Sequence, residues 1–146
     1  MNPNAQLTDY QAVLAAIDPS SQGAGAATTG WVSVKNFHAF AAIVAVGAFG
    51  SGATVDAKIQ QAQDATGTGA KDVTGKAITQ LVAAGGNNRQ ALINFRPDNL
   101  DTNNGFTFVR LSVTVAAAAS LTAGVLLGVG ARYAPASEAT SVAQVV

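Results

Sequence analysis

From Val109 to Val129 apolar side chains alternate with small or polar ones. Val109, Leu111, Val113 and Val115 are interleaved with Arg110, Ser112 and Thr114, and after Ala116 to Ala119 the alternation resumes as Leu121, Ala123, Val125, Leu127 and Val129 against Thr122, Gly124 and Gly128. A period of two predicts two long strands joined by a short alanine-rich turn, a hairpin with its apolar set toward a core and its small, polar set outward.

Upstream, the period changes. Leu7, Tyr10, Leu14 and Ile17 recur at helical spacing, Thr8 and Gln11 suit a capping box, and Pro19 follows Asp18 as a stop, so the pattern predicts a short amphipathic helix within residues 1–18. Residues 19–30 are small and uncharged, the composition of a flexible linker, and residues 1–30 together read as a helix and arm. The β body is expected over 31–133. It opens at Trp31, and His38 to Val46 is apolar on both faces, as a central, buried strand requires. Val55, Ala57 and Ile59 alternate with Thr54, Asp56, Lys58 and Gln60, which predicts a strand with one wet face. Asp64 to Lys76 reads as a loop, Ala77 to Val82 as a short strand, and Arg89 to Phe95 as another that Pro97 ends. Residues 134–146 have no internal pattern and read as a tail, an arm or disordered. About seven short strands between Gly, Asn and Asp turns predict a mainly β chain: an antiparallel sandwich or barrel, jelly-roll-like, with a short N-terminal helix or arm.

Composition narrows the partners. The 146 residues suffice for one core. Eight basic and eight acidic side chains cancel without clustering, which argues against nucleic acid and anionic membranes as partners. The absence of cysteine removes disulfides and thiolate chemistry and is compatible with synthesis in a reducing cytoplasm. The start shows no secretory signal pattern. The uncharged interval Leu111 to Ala131 has the hydropathy of a membrane span, but its alternation and β-branched content suit strands better.

Candidate chemistry is thin. Around Gly67 to Ala77 the glycines invite a phosphate loop, yet Ala70 stands where that motif needs its first glycine and Ala77 where it needs Ser or Thr. Asp98, Asn99, Asp101, Asn103 and Asn104 lack calcium-loop spacing and a closing glutamate. His38, the single histidine, lies in an apolar run and reads as a core or interface imidazole rather than a catalytic one. Trp31, Phe37 and Tyr133 are candidates for a sugar-stacking surface but read better as core edges. No enzyme, cofactor or metal site is expected. The residues best placed to meet another protein are Leu7, Tyr10, Leu14 and Ile17 on the expected helix, with Trp31 and Tyr133 at the two ends of the β body.

The segments T-T-G-W-V-S-V-K-N-F-H-A-F, T-G-K-A-I-T-Q-L, N-R-Q-A-L-I-N-F-R and G-A-R-Y-A-P-A-S, with the intervening stretches of residues 28–137, resemble a family of small structural proteins encoded among the head genes of tailed bacteriophages. The most similar described role in that family is a capsid decoration or cement protein of a siphophage with an HK97-type shell. That resemblance implies a virion location on the capsid surface after synthesis in the host cytoplasm, the major capsid protein as partner, and self-association, commonly as a homotrimer at a local threefold axis. A head-tail connector or tail-completion protein is the alternative within phage biology. From another class, the alternative is a carbohydrate-binding β-sandwich.

Overall fold

The computed structural model describes residues 3–146, and ten strands account for its regular structure: β1 (Gln11–Gln22), β2 (Gly25–Thr28), β3 (Val32–Ser33), β4 (Phe37–Val46), β5 (Thr54–Ala62), β6 (Lys71–Ala77), β7 (Leu81–Val82), β8 (Arg89–Phe95), β9 (Phe108–Ala116) and β10 (Ser120–Ala131). They form two antiparallel sheets. One has four strands in the order β1-β10-β4-β8; the other runs β2-β9-β5-β6, with β3 on β9 and β7 on β5. Without the two-residue strands β3 and β7, the pairing is nested: β1 with β10, β2 with β9, β4 with β8, β5 with β6. A chain doubled back on itself and rolled up gives this nesting, which is the jelly-roll form of the sandwich.

The core lies between the sheets. Phe40, Val44 and Val46 of β4, Val55 and Ile59 of β5, Val109, Leu111, Val113 and Val115 of β9, and Leu126 of β10 are almost wholly buried. Removing each such side chain from water stabilises the fold by about 1.5–3 kcal/mol. At one end Phe40 stacks on Phe95 at 5.2 Å and meets Phe37 edge-on at 6.1 Å. The alternation expected for β5, the central place of β4 and the extent of β8 are all found.

Four expectations are corrected. The helix expected in residues 1–18 is a single 3-10 turn, Leu7–Asp9, followed by β1; Met1 and Asn2 lie outside the described residues. Two register shifts in β1, between Val13 and Ala15 and between Ile17 and Ser20, break its alternation and imitate a helical spacing. The linker expected over 19–30 is partly strand, the end of β1 and all of β2. Within the expected loop 64–76, Lys71 onward belongs to β6, an irregular partner of β5 whose register also shifts.

The last correction matters most for function. β9 and β10 are long strands, as expected, but they are no hairpin: each lies in a different sheet, and the Ala117 turn at φ 70° carries the chain between them. Moreover β10 is turned over. Ser120, Thr122, Gly124, Leu126 and Gly128 face the core, and Leu121, Ala123, Val125, Leu127 and Val129 face out. Packing explains the inversion. A Cβ at Gly128 would stand 2.6 Å from the Phe37 ring, and one at Gly124 would stand 2.8 Å from Leu111, so the small residues are where large side chains from elsewhere need room.

Candidate interaction face

The inverted β10 gives the four-stranded sheet an apolar outer face. In register across it lie Val13 opposite Leu127 and Ala16 opposite Val125 on β1 and β10. Next come Leu127 opposite Ala41, Val125 opposite Ile43, Ala123 opposite Ala45 and Val129 opposite Ala39 on β10 and β4. Ile43 in turn faces Leu92 on β8, which is 61% exposed, and Leu121 at the other end is 48% exposed. The outward positions of β4 from Ala39 to Ala45, and those of β8 and β10, hold no charged side chain. An antiparallel sheet that meets water normally alternates apolar and polar residues; β4 from Ala39 and β10 do not, and polar side chains on this face sit on the flanking strands, Gln90 and Asn94 on β8 and Gln11 and Ser21 on β1.

The six-stranded sheet shows the ordinary arrangement. On its outer face Asp72 accepts hydrogen bonds from Lys58 Nζ at 2.8 Å and Gln60 Nε2 at 3.0 Å. Gln60 Oε1 accepts from Arg110 Nε at 2.9 Å, and the Arg110 guanidinium lies 4.5 Å from the centre of the Trp31 ring. The Lys58 ammonium, then the Gln60 amide, hold the Asp72 carboxyl below the usual carboxylate range. Close by, Lys71 does the same for Asp101 with help from Asn104, and the Thr66 and Thr68 hydroxyls, with the Thr68 amide, lower Asp64 strongly. These pairs are exposed, so they order a wet surface and add little to stability.

The six residues expected at an interface are dispersed. Ile17 is buried against the Gly124 backbone and faces the core. Leu14 and Tyr133 do come together: with Val32, Phe37, Ala131 and Pro135 they line a cleft of about 250 Å³ where the tail turns back. Leu7 is 66% exposed and lies in a shallow hollow beside Leu127 and Glu138, Tyr10 is half-buried, and Trp31 sits under Arg110 on the other sheet. His38, expected as a core or interface imidazole, is exposed, which excludes the core alternative, and Phe37 takes the inward place at the start of β4. The tail is seated along the β1 edge, where the Ala139 amide donates to the Val13 carbonyl at 2.7 Å, the Val13 amide to Glu138 Oε2 at 2.6 Å, and the Ala136 amide to the Asp9 carbonyl at 3.1 Å.

Sequence reasoning missed Val125, Leu127, Ile43 and Leu92 as surface residues. The available signal was the two-sided apolar character of β4, because a neighbour in register with such a strand shares its outer face. Among the described residues no group of three His, Asp or Glu side chains is placed to hold a metal ion, and no helix is long and apolar enough to cross a membrane.

No protein-family model and no curated protein sequence matches the chain. Solved structures with a similar fold include a chain of infectious bursal disease virus, Gx strain, at 14% identity and a TM-score of 0.44, covering 86% of this chain and 34% of that one. A chain of the cowpea mosaic virus empty virus-like particle matches at 10% identity and 0.47, covering 92% and 89%, and a CBM4 chain at 14% and 0.42, covering 88% and 92%. The likeness, shared among viral chains and a carbohydrate-binding module, is one of fold, and no function is read from it.

Proposed function

We propose that the chain is a non-enzymatic structural protein of a virion, a decoration or cement protein on the outer surface of a tailed-phage head, where it clamps adjacent major capsid subunits. The observation that carries the reading is the uncharged, largely apolar outer face formed by β4, β8 and β10, whose exposure to water is unfavourable unless protein of the assembly, a coat subunit or a second copy of this chain, covers it. The sequence resemblance over residues 28–137 supports the phage setting and a trimeric grouping. The two-sheet body suits a stiff clamp. Binding to the assembled shell but not to separated coat subunits stabilises assembly by mass action, and each of many sites need contribute only a few kcal/mol.

A carbohydrate-binding reading would call for a platform of exposed aromatic rings. Trp31 lies under Arg110 and Phe37 is buried, which leaves Tyr133 alone of the three candidates fully open. The test is to strip the protein from purified particles and compare thermal DNA release from intact, stripped and reconstituted heads. Earlier release from stripped heads, restored by re-addition, is expected. Equal DNA retention without rebinding would overturn the clamp, and imaging of one ring at a single vertex would favour the connector.

A further inference from the structure

We infer that the outer face of the four-stranded sheet is a self-association surface, covered by a second copy of this chain rather than by a coat subunit. The inference deepens the virion-structural reading, on which it rests for its setting, by assigning one surface to one partner.

Three observations point to a second copy. The first is electrostatic: sixteen charged side chains are distributed over the chain, yet the outward positions of β8 and β10, and those of β4 from Ala39 to Ala45, carry none; Asp18 on β1, Glu138 beside Leu127, and Lys76 and Arg96 beside Ala39 and Asn94 lie at the margins. When a surface meets its own copy, any cluster of one sign risks meeting the same sign, and a charge-free face avoids this. The second is relief. Large side chains, Ile43, Val125, Leu127 and Leu92, are flanked by Ala39, Ala41, Ala45 and Ala123, so ridges and hollows of similar size lie side by side on one face. Facing sheets about 10 Å apart interlock through such alternation. The third is size. Four strands spaced ~4.8 Å apart, followed over the outward run Leu121–Val129, define roughly 500 Å² per copy, or about 1,000 Å² buried in all, the lower bound of a specific interface.

If this face is taken by a second copy, the shell must be met elsewhere. The end bearing the Leu14–Tyr133 cleft remains open for it.

The test is the mass of the purified full chain by light scattering at about 100 µM, a concentration at which even a micromolar interface is occupied. A dimer is expected, since a face that packs on its own copy closes about a twofold axis. Val125→Asp puts an unpaired carboxylate at the centre of the face and should weaken association about 100-fold or more. Leu92→Lys, on an exposed edge-strand position, should also weaken it with little risk to folding, and Thr114→Asp on the other sheet should leave the mass unchanged. Circular dichroism checks that each variant keeps its β signal. A monomeric wild-type chain, or folded Val125→Asp and Leu92→Lys variants of unchanged mass, would overturn the inference. A monomer that rebinds stripped heads would overturn it and leave the decoration reading standing. A Val125-dependent oligomer without affinity for heads would do the reverse.

Discussion

Small side chains at inward positions of β10 decide how closely the two sheets approach. Gly128 lies under the Phe37 ring, with all three nearest ring carbons within 2.7 Å of where a Cβ would stand. Gly128→Ala should therefore force the ring off its place and destabilise the fold by about 1–3 kcal/mol, read as a lower midpoint in urea unfolding. Two positions from Gly124 on the same inward row, Thr122 Oγ1 is buried and has no hydrogen-bond partner among the described residues. Replacing it by the nearly isosteric valine removes an unsatisfied group, and Thr122→Val should stabilise by about 1 kcal/mol. Acid acts at other residues. Asp64, Asp72 and Asp101 each have their carboxyl lowered by hydrogen bonds, from Thr66 and Thr68, from Lys58 and Gln60, and from Lys71 and Asn104. A carboxyl lowered in the folded state adds stability above its unfolded pKa, and that contribution is lost as pH falls through the folded value. Because these groups are exposed, the thermal midpoint should fall only slightly from this cause as pH drops below about 4, and Asp72→Asn should reduce that fall.

At the scale of elements, β1 is part of the sandwich and no detachable arm. It pairs with β10 along almost its whole length and places Ala12 and Ile17 in the core. Deleting residues 1–18 should abolish cooperative unfolding, which calorimetry would read directly; a truncated chain that melts like the intact one would show the strand to be dispensable. Why the sequence suggested a helix there is now plain. Each bulge adds a residue to one strand, so Ala12 and Ile17 come five apart on one face while Leu14 packs at the cleft, and a broken period of two resembles a period of 3.6. Where alternation was unbroken, in β5 and β9, both the strand and its buried side were legible, and β8 was legible as a strand. On β10 the strand was legible and its direction of facing was not. Alternation states which residues share a face; which face is inside depends on partners distant in sequence, here Phe37, Ile17 and Leu111. The same non-locality concealed the separation of β9 from β10 into different sheets, and with it the site, whose residues come from four strands spread between Val13 and Val129.

At the scale of the whole molecule, the two outer faces differ in the force available to them. The six-stranded sheet presents Lys58, Asp72, Gln60 and Arg110 in mutually satisfied pairs, and the two central strands of the four-stranded sheet present alanine, valine, leucine and isoleucine. With formal charge balanced at pH 7, no long-range repulsion opposes association and no steering field assists it. Association through the apolar face should then respond to solvent as apolar burial does. Raising salt from about 0.05 to about 0.5 M shortens the screening length severalfold, which would weaken a charge-driven contact strongly and should change this one less than about threefold. Cooling should matter more, because apolar burial carries a negative heat-capacity change and loses driving force toward low temperature. Sedimentation equilibrium at two salt concentrations and at 4 and 25 °C measures both effects on one sample. Association that is nearly salt-independent and weaker in the cold is the expected result. A steep loss with salt would place the contact on the charged sheet instead, and the apolar face would then lack the occupant assigned to it.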